Sequence, residues 1–339
     1  MKQPTIWFNT GFKLVHVIQR IREAQEPGEI FRIVCSHKKQ VPAKEVADLF
    51  ESEPPGLDDA GYMEYCLDLA RRHAVDVFIP STRVLALAAA QDRFQAAGVR
   101  LIVPADPGTL TLLKNKVDLY QAIPAKLVPM PDYKLVSDLA GFRQACSQLS
   151  TRYETICFKP AAGIAGQGFR IVSDKGSGFA GPVNGEHPPL TPAGAEQYLI
   201  GKTQFPTLMV MPYLTGLERS IDCLASGGKL IRSIVRVKYR DGLSELIEDN
   251  RYLEELASRL TAHLKLNGLY NIQFMEHDGA QYLLEINARM SGGIHYGALS
   301  GVFLPYWAVR LALGNAGPAD IPQPRTGVRV VCLSQPLVS

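Results

Sequence analysis

The first hundred residues alternate between short apolar runs and amphipathic stretches, and this alternation leaves few architectures open. The apolar runs predict strands at residues 5–8, 30–35, 75–80 and 99–104. Between them, helical spacing predicts helices at residues 12–24, 43–50, 62–73 and 84–97. Short apolar strands that alternate with helices are typical of a parallel sheet covered on both faces.

The turn after the first predicted strand reads Asn9-Thr10-Gly11. A dinucleotide-binding fingerprint would need G-x-G-x-x-G at this place, where the glycines let the backbone approach the pyrophosphate. The sequence therefore predicts a Rossmann-like scaffold without a nicotinamide site.

Composition limits the partners and the compartment. The chain has 36 basic and 33 acidic residues, a net charge of +3, and no run of like charge. This balance argues against a nucleic-acid partner. The longest apolar run, residues 84–90, is far shorter than the roughly 18 residues of a membrane span, and no apolar signal segment is visible. The six cysteines form no C-x-x-C pair and have no zinc spacing. We expect a cytoplasmic protein without a membrane partner, with its cysteines buried as small hydrophobic residues.

A glycine-rich stretch, PAAGIAGQG at residues 160–168, joins two predicted strands at residues 155–159 and 169–172. Glycines let backbone amides approach phosphate oxygens closely, and Lys159 would place an ammonium group beside those phosphates. The stretch lacks the GK[ST] of a P-loop and leads into a strand, so it resembles a flap that covers a nucleotide. An ordinary glycine hairpin with a surface lysine is the alternative.

The segment from Gln273 to Arg289 contains the sharper pattern. Glu285, Asn287 and Arg289 are spaced two apart and would project from one face of a strand. Oxygen donors of this kind suit Mg²⁺, and a guanidinium beside them suits a transferring phosphate or a carboxylate. A polar strand face ending in a surface arginine is the alternative.

The position of Gln273 depends on the turn between the two strands of this segment. A three-residue loop at residues 277–279 would put Gln273 on the face of Glu285. A two-residue Asp278-Gly279 turn would put Gln273 in the core, where an unpaired amide is costly.

In their order along the chain, these motifs resemble the ATP-grasp superfamily, in particular its carbamoyl-phosphate-synthase-like and biotin-carboxylase-like branch. The resemblance covers about residues 105–315 and rests on Leu113-Lys114-Asn115-Lys116, Phe158-Lys159-Pro160 with its glycine-rich stretch, residues 211–214 followed by Gly216-x-Glu218-x-x-x-Asp222, Gln273, and Glu285-x-Asn287-x-Arg289. The implied fold class is α/β and α+β, with a Rossmann-like N-terminal domain before a two-lobed ATP-grasp fold. The implied domains are residues 1–104, a small lobe with the flap at 105–205, and a large lobe with the metal site at 206–339.

The resemblance also implies roles for single residues. The implied contacts to ATP come from Lys116, Lys159, the flap glycines Gly163, Gly166 and Gly168, the adenine-binding residues Met211, Tyr213 and Leu214, and the ribose-binding Glu218. The implied metal ligands are Gln273, Glu285 and Asn287, and the implied catalytic residues are Arg289 and Lys159. Arg236, Lys238 and Ser244 would face the substrate carboxylate, with a solvated basic strand edge as the alternative. Two positions depart from the family pattern: Asn115 stands where the family has Asp, and Pro212 stands where it often has Glu.

The implied activity is that of an ADP-forming ligase that makes C–N bonds. ATP, with Mg²⁺ or alternatively Mn²⁺, would convert a small carboxylate into an acyl phosphate, which an amine or similar nucleophile then attacks. The partners would be small molecules, and a homodimer is compatible with the resemblance. The alternatives are an ATP-grasp kinase or phosphotransferase and a nucleotide-binding module without catalysis.

Overall fold

The computed structural model describes residues 3–9, 14–161, 168–177, 188–201, 205 and 207–332 of the chain. The chain forms two compact units. Unit 1 comprises Met1–Thr111, Leu217–Phe274 and Glu285–Ser339, and unit 2 comprises Leu112–Gly216 and Met275–Leu284. The three-domain division at residues 104 and 205 stays a prediction.

Strands and helices follow each other along the chain. The strands are β1 Thr5–Phe8, β2 Arg32–His37, β3 Leu49–Ser52, β4 Val77–Ile79, β5 Arg100–Leu101, β6 Lys134–Val136, β7 Ile156–Pro160, β8 Arg170–Ser177, β9 Leu208–Pro212, β10 Glu218–Ser226, β11 Lys229–Lys238, β12 Ser244–Glu248, β13 Gly268–His277, β14 Ala280–Asn287 and β15 Val328–Val331. The α-helices are α1 Leu14–Ala24, α2 Asp59–Arg72, α3 Val84–Ala89, α4 Gln91–Ala96, α5 Pro107–Lys114, α6 Lys116–Ala122, α7 Leu139–Ser150, α8 Pro192–Ile200, α9 Arg251–His263 and α10 Leu304–Leu313.

Unit 1 begins with a parallel sheet in the order β3-β2-β1-β4-β5. All four pairs of neighbouring strands run parallel. The central strand β1 is buried along its whole length, and Trp7 stacks on Phe78 of β4 with ring centroids 3.7 Å apart. Burial of every residue is what a sheet covered on both faces requires. The predicted parallel α/β architecture is confirmed.

The prediction for residues 43–50 was wrong. A helix was expected there, but the structure has a 3₁₀ turn at Pro42–Glu45 followed by β3. Strand β3 pairs with β2, and the Asp48 carboxylate accepts a hydrogen bond from the Ile33 backbone N–H at 2.7 Å just before the strand. Pairing with the neighbouring strand overrides the local spacing of apolar residues.

Unit 1 also contains most of a six-stranded sheet in the order β14-β13-β10-β11-β12-β15. The pairs β10/β11, β11/β12 and β12/β15 are antiparallel. One hydrophobic core joins this sheet to the parallel sheet through helices α1 and α10. Its buried members include Ile6, Phe8, Ile18, Ile21, Leu224, Ile234, Leu269, Leu304 and Val309.

Unit 2 is built on an antiparallel sheet in the order β6-β9-β7-β8. Helices α7 and α8 pack on it, and Phe142 of α7 meets Phe158 of β7 edge to face, with ring centroids 5.3 Å apart. The tip of the β13–β14 hairpin also belongs to this unit. There the Tyr120 hydroxyl of α6 donates a hydrogen bond to the Leu283 carbonyl at 2.7 Å.

Within the described ranges, no helix is both long enough and apolar enough to cross a bilayer.

Candidate active site

The polar side chains after Leu284 lie together, as the alternation predicted. Asn287 Nδ2 donates a hydrogen bond to Glu285 Oε1 at 2.9 Å, and Arg289 Nη2 lies 3.4 Å from Asn287 Oδ1. Glu285 and Asn287 are half-buried, whereas Ile286 between them is buried. Because successive residues of a strand point to opposite faces, this strand presents its polar residues on one side and its apolar residue on the other.

The turn before this strand has two residues, Asp278 and Gly279, with φ of 48° and 76°. Positive φ at both positions is the geometry that favours Asp-Gly in tight hairpins. Nevertheless Gln273 is half-buried and not in the core.

The expectation that a two-residue turn would bury Gln273 is therefore wrong, and strand β14 shows why. Its buried positions are Gln281, Leu283 and then Ile286, so the alternation is interrupted once before Glu285. A single interruption of this kind reverses which residues face the core beyond it.

The donor set fits a hard divalent cation. In the predicted set Glu285 would supply a carboxylate, and Gln273 and Asn287 would supply amide oxygens, which are the ligand types that Mg²⁺ takes. Among the described residues, no group of three or more His, Cys, Asp or Glu side chains could hold a metal. A set with one carboxylate leaves room for phosphate oxygens as further ligands.

Lys116 is the first residue of α6, and Asn115 is the cap of that helix. The Asn115 side-chain oxygen accepts a hydrogen bond from the Val117 backbone N–H at 2.9 Å. Asn and Asp cap helices about equally well. The departure from the family's Asp therefore keeps the local geometry that positions Lys116.

Lys159 lies near the end of β7, opposite Met209 of β9, and is half-buried. Two of the predicted flap glycines, Gly163 and Gly166, fall outside the described residues. Gly168 has φ of +75°, and a Cβ there would lie 2.9 Å from the ring carbons of Pro160. This glycine is therefore required by both backbone conformation and space.

The predicted adenine-binding segment follows β9. Met211 and Leu214 are buried, and Tyr213 is half-buried, with its backbone N–H donating to the Thr155 carbonyl at 3.0 Å. The Phe169 ring, which sequence reasoning did not single out, lies 6.4 Å from the Tyr213 ring. The two ring planes are tilted by 43° to each other, and no sequence spacing revealed the pair because its residues come from distant segments.

Glu218 and Lys238 face each other across β10 and β11, with Lys238 Nζ 2.5 Å from Glu218 Oε1. The Lys238 side chain is 34% exposed and the Glu218 side chain is 27% exposed. Glu218, which was expected to bind ribose, and Lys238, which was expected to bind the substrate, thus form an ion pair with each other. A ligand that takes either of them must compete with this ion pair.

Arg236 and Ser244 do not have the exposure that a direct substrate contact needs. Arg236 is completely buried, and Arg236 Nε donates to Asp222 at 2.8 Å. Ser244 is buried too, and its hydroxyl donates to Asp241 within the turn before β12. Burial by itself lowers the pKa of the Arg236 guanidinium, but the Asp222 and Glu245 carboxylates outweigh burial and raise it. The predicted substrate contacts of these two residues are replaced by structural partners.

Part of the chain is similar in sequence to known proteins. Residues 204–336 match the family described as "ATP-grasp in the biosynthetic pathway with Ter operon". The carbamoyl phosphate synthase large chain of Thermomicrobium roseum is 30% identical over 142 residues, which are 36% of this chain and 13% of that protein. The chain thus spans about an eighth of the length of this curated relative.

Solved structures resemble nearly the whole chain. The biotin carboxylase of Campylobacter jejuni, in complex with β-γ-ATP, has a TM-score of 0.66 and 15% identity over 95% of this chain and 74% of that one. The L-amino acid ligase of Bacillus licheniformis has a TM-score of 0.61 and 12% identity over 95% of this chain and 78% of that one. Residues 204–336 thus match an ATP-grasp family, and nearly the whole chain shares the fold of these two structures.

Among the described residues, the buried cysteines offer no nucleophile. Burial raises the pKa of the Cys35 and Cys157 thiols to about 12, and only the thiolate is nucleophilic. Cys66 and Cys223 are buried as well, and Cys146 is half-buried. Cys332 departs from the expectation, since it is exposed after the edge strand β15.

Proposed function

We propose that this ATP-grasp chain is an ADP-forming ligase that activates a small carboxylate as an acyl phosphate and joins it to an amine. The observation that supports the proposal most is the half-buried row of Glu285, Asn287 and Arg289 on one strand face. A binding module without catalysis has no need of a carboxylate, an amide and a guanidinium in this order. The names of the carbamoyl phosphate synthase and the amino acid ligase point to the same reaction class.

The nucleotide's negative charge calls for cations on the protein. In the proposal Lys116, held at the start of α6, and Lys159, near the end of β7, contact ATP phosphates. Glu218 binds the ribose hydroxyls, Met211, Tyr213 and Leu214 border the adenine, and the flap residues Gly163, Gly166 and Gly168 cover the phosphates. Fixed cations stabilise the charge that spreads over the transferring group.

Gln273, Glu285 and Asn287 are the residues that would hold Mg²⁺, or Mn²⁺ in its place. Bound there, the cation would neutralise phosphate charge and orient phosphate oxygens. The protein's own contribution is to keep these three oxygen donors half-buried, which limits the water that competes for them.

The proposed chemistry has two steps. A carboxylate oxygen bonds to the γ-phosphorus of ATP while the bond to the ADP oxygen breaks. An amine nitrogen then bonds to the acyl carbon, the carbon–oxygen bond breaks, phosphate leaves with that oxygen, and the nitrogen loses a proton. Arg289 and Lys159 stabilise the negative charge during the first step, and Lys238 is the cation proposed for the substrate carboxylate.

ATP turnover by the purified chain tests the proposal. Amino acids and other small carboxylates are paired with amines, and ADP release is measured with each component omitted in turn. A ligase needs both the carboxylate and the amine for full turnover. ADP release without an amine, together with a stable phosphorylated product, would establish the kinase alternative.

The substitution Glu285→Gln ties the activity to the proposed site. We expect turnover to fall at least about 100-fold, because an amide replaces the only carboxylate of the metal-binding set. Glu255→Gln, which alters an exposed carboxylate paired with Arg259 on α9, is the matched control and should leave turnover unchanged. Full turnover by Glu285→Gln would refute the assignment of the site.

A further inference from the structure

Arg236 is surrounded by polar groups from several segments of unit 1. Its Nε donates to Asp222 Oδ2 at 2.8 Å, and Nη2 lies 3.2 Å from the Ser220 hydroxyl. Nη1 forms an ion pair with Glu245 of β12. Asn271 of β13 donates to the same Ser220 hydroxyl and to Asp222, at 3.0 Å each. Arg236 therefore sits at the centre of a buried network that spans four strands.

The network reaches one segment outside the sheet, the loop that follows β14. Arg236 Nη2 donates to the Ser291 hydroxyl at 2.8 Å. A Cβ on Gly293 would lie only 2.5 Å from Arg236 Nη1, so the guanidinium occupies the space beside this glycine. The Arg236 guanidinium also lies 5.9 Å from the centre of the Tyr296 ring. Ser291 and Gly293 of this loop, and Tyr296 of the 3₁₀ helix Ile294–Ser300 that follows it, thus lie against one buried side chain.

The position of Arg289 depends on this loop. Arg289 precedes Ser291 by two positions and is exposed, and within the part of the chain that the structure describes its side chain contacts local groups, namely Asn287 Oδ1 and the Met290 carbonyl at 3.0 Å. Local contacts leave an exposed side chain several arrangements. The contacts of Arg236 with Ser291 and Gly293, called the Arg236 anchor below, hold the backbone from which Arg289 extends.

We propose that Arg236 is a positioning residue that holds the Arg289 loop, and not a residue that binds the substrate. The inference rests on the proposed function for the role of Arg289. Its geometry needs arginine specifically, because only the planar guanidinium can donate to Asp222, Ser220, Glu245 and Ser291 together. A lysine would keep the positive charge, but its ammonium group could not donate hydrogen bonds to all four partners at once.

Two variants test the inference, with a control on the same strand. Arg236→Lys removes the planar donor set, and Ser291→Ala removes only the link to the loop. Arg232→Lys makes the same change on β11 at a side chain that donates to the Ile321 carbonyl. Because Ser291 is half-buried and contributes a single hydroxyl, its replacement should leave the fold intact.

Hydrogen exchange measured on the chain without ligands is the first readout. We expect amides of residues 287–296 to exchange at least about tenfold faster in Arg236→Lys and Ser291→Ala, with exchange in the parallel sheet unchanged. Arg232→Lys should leave residues 287–296 as they are. Unchanged exchange of residues 287–296 in both variants would overturn the inference, and so would faster exchange throughout unit 1, which would indicate a general structural role.

Kinetics give the second readout. We expect kcat to fall roughly 10- to 100-fold with the carboxylate KM unchanged, the range typical when a partner that orients a functional residue is lost. The kcat of the double variant Arg236→Lys/Ser291→Ala should equal that of Arg236→Lys alone, because both changes break the same hydrogen bond between Arg236 and Ser291. A raised carboxylate KM with unchanged kcat would instead assign Arg236 to substrate binding. If the wild-type chain turned over no ATP, the proposed function would fail. Hydrogen exchange would still test the Arg236 anchor, because that measurement needs no turnover.

Discussion

Asn115 shows how one side chain can depart from a family pattern without loss of local structure. Its oxygen caps α6 through the Val117 N–H, and Lys116 is the first residue of that helix. An aspartate would make the same hydrogen bond. The position therefore selects for a short side chain with an oxygen at its end, and Lys116 is held in place in either case.

This explanation predicts different results for two substitutions. Asn115→Asp should leave the free energy of unfolding unchanged, whereas Asn115→Ala should lower it by about 1 kcal/mol because the Val117 N–H loses its acceptor. Denaturant unfolding measures both. The exposed Asn315→Ala is the control for loss of an asparagine side chain. Equal losses for Asp and Ala at position 115 would show that the cap is not what the residue provides.

Strand periodicity alone was enough to predict which residues lie side by side on one strand face. Glu285, Asn287 and Arg289 needed only the two-residue repeat of a strand to be placed together. Arg236 could not be placed in this way, because its burial depends on partners from β10, β12 and the loop after β14. The effect of a two-residue turn on Gln273 was misjudged, because that expectation assumed unbroken alternation along β14, which the structure does not have.

Among the elements, those with strong local patterns were predicted and those that depend on pairing were missed. The helices over residues 12–24 and 62–73 were expected from their spacing and are present as α1 Leu14–Ala24 and α2 Asp59–Arg72. Strands β3 and β12 have four and five residues and were not expected. Segments this short become strands because a neighbouring strand offers hydrogen bonds, as β2 does for β3 and β11 does for β12.

The contact between β3 and the end of α2 gives a prediction that depends on pH. Glu51 lies 2.8 Å from Arg72 and 2.6 Å from His73. Burial alone would raise the pKa of Glu51, but the hydrogen bonds from His73 and Arg72 outweigh burial and lower it below the ordinary value of 4.5. A carboxyl with a lowered pKa stabilises the fold above its unfolded-state pKa, and this contribution is lost as pH falls through the folded-state value.

We therefore expect Glu51→Gln to lower the free energy of unfolding at pH 7 by at most about 1 kcal/mol, since the pair is partly exposed to solvent. The difference from wild type should vanish as the pH falls below 4.5. Urea unfolding between pH 7 and pH 3 measures it. Glu64→Gln, which alters a carboxylate that is 61% exposed, is the control for loss of a surface charge. A difference that persists at pH 3 would contradict the assignment to an ionised Glu51.

For the whole molecule, the order of the motifs predicted more than any single one of them. The motifs of Lys116, Lys159, the glycine-rich stretch, Glu218 and Glu285-x-Asn287-x-Arg289 occur in the order that the ATP-grasp resemblance implies, and the structure has parallel and antiparallel sheets. What the sequence could not indicate is that the parallel sheet and the six-stranded sheet share a core in unit 1. A shared core is made by residues far apart in the chain, such as Ile18 and Leu304.

The central claim is that a carboxylate becomes an acyl phosphate, and isotope transfer tests it directly. A carboxylate that supports ADP release is labelled with ¹⁸O, and the phosphate released with ADP is analysed by mass spectrometry. In the proposed reaction one oxygen of each carboxylate leaves with phosphate, so the phosphate should contain one ¹⁸O per turnover. Unlabelled phosphate formed along with the amide product would contradict the acyl phosphate and with it the proposed ligase mechanism.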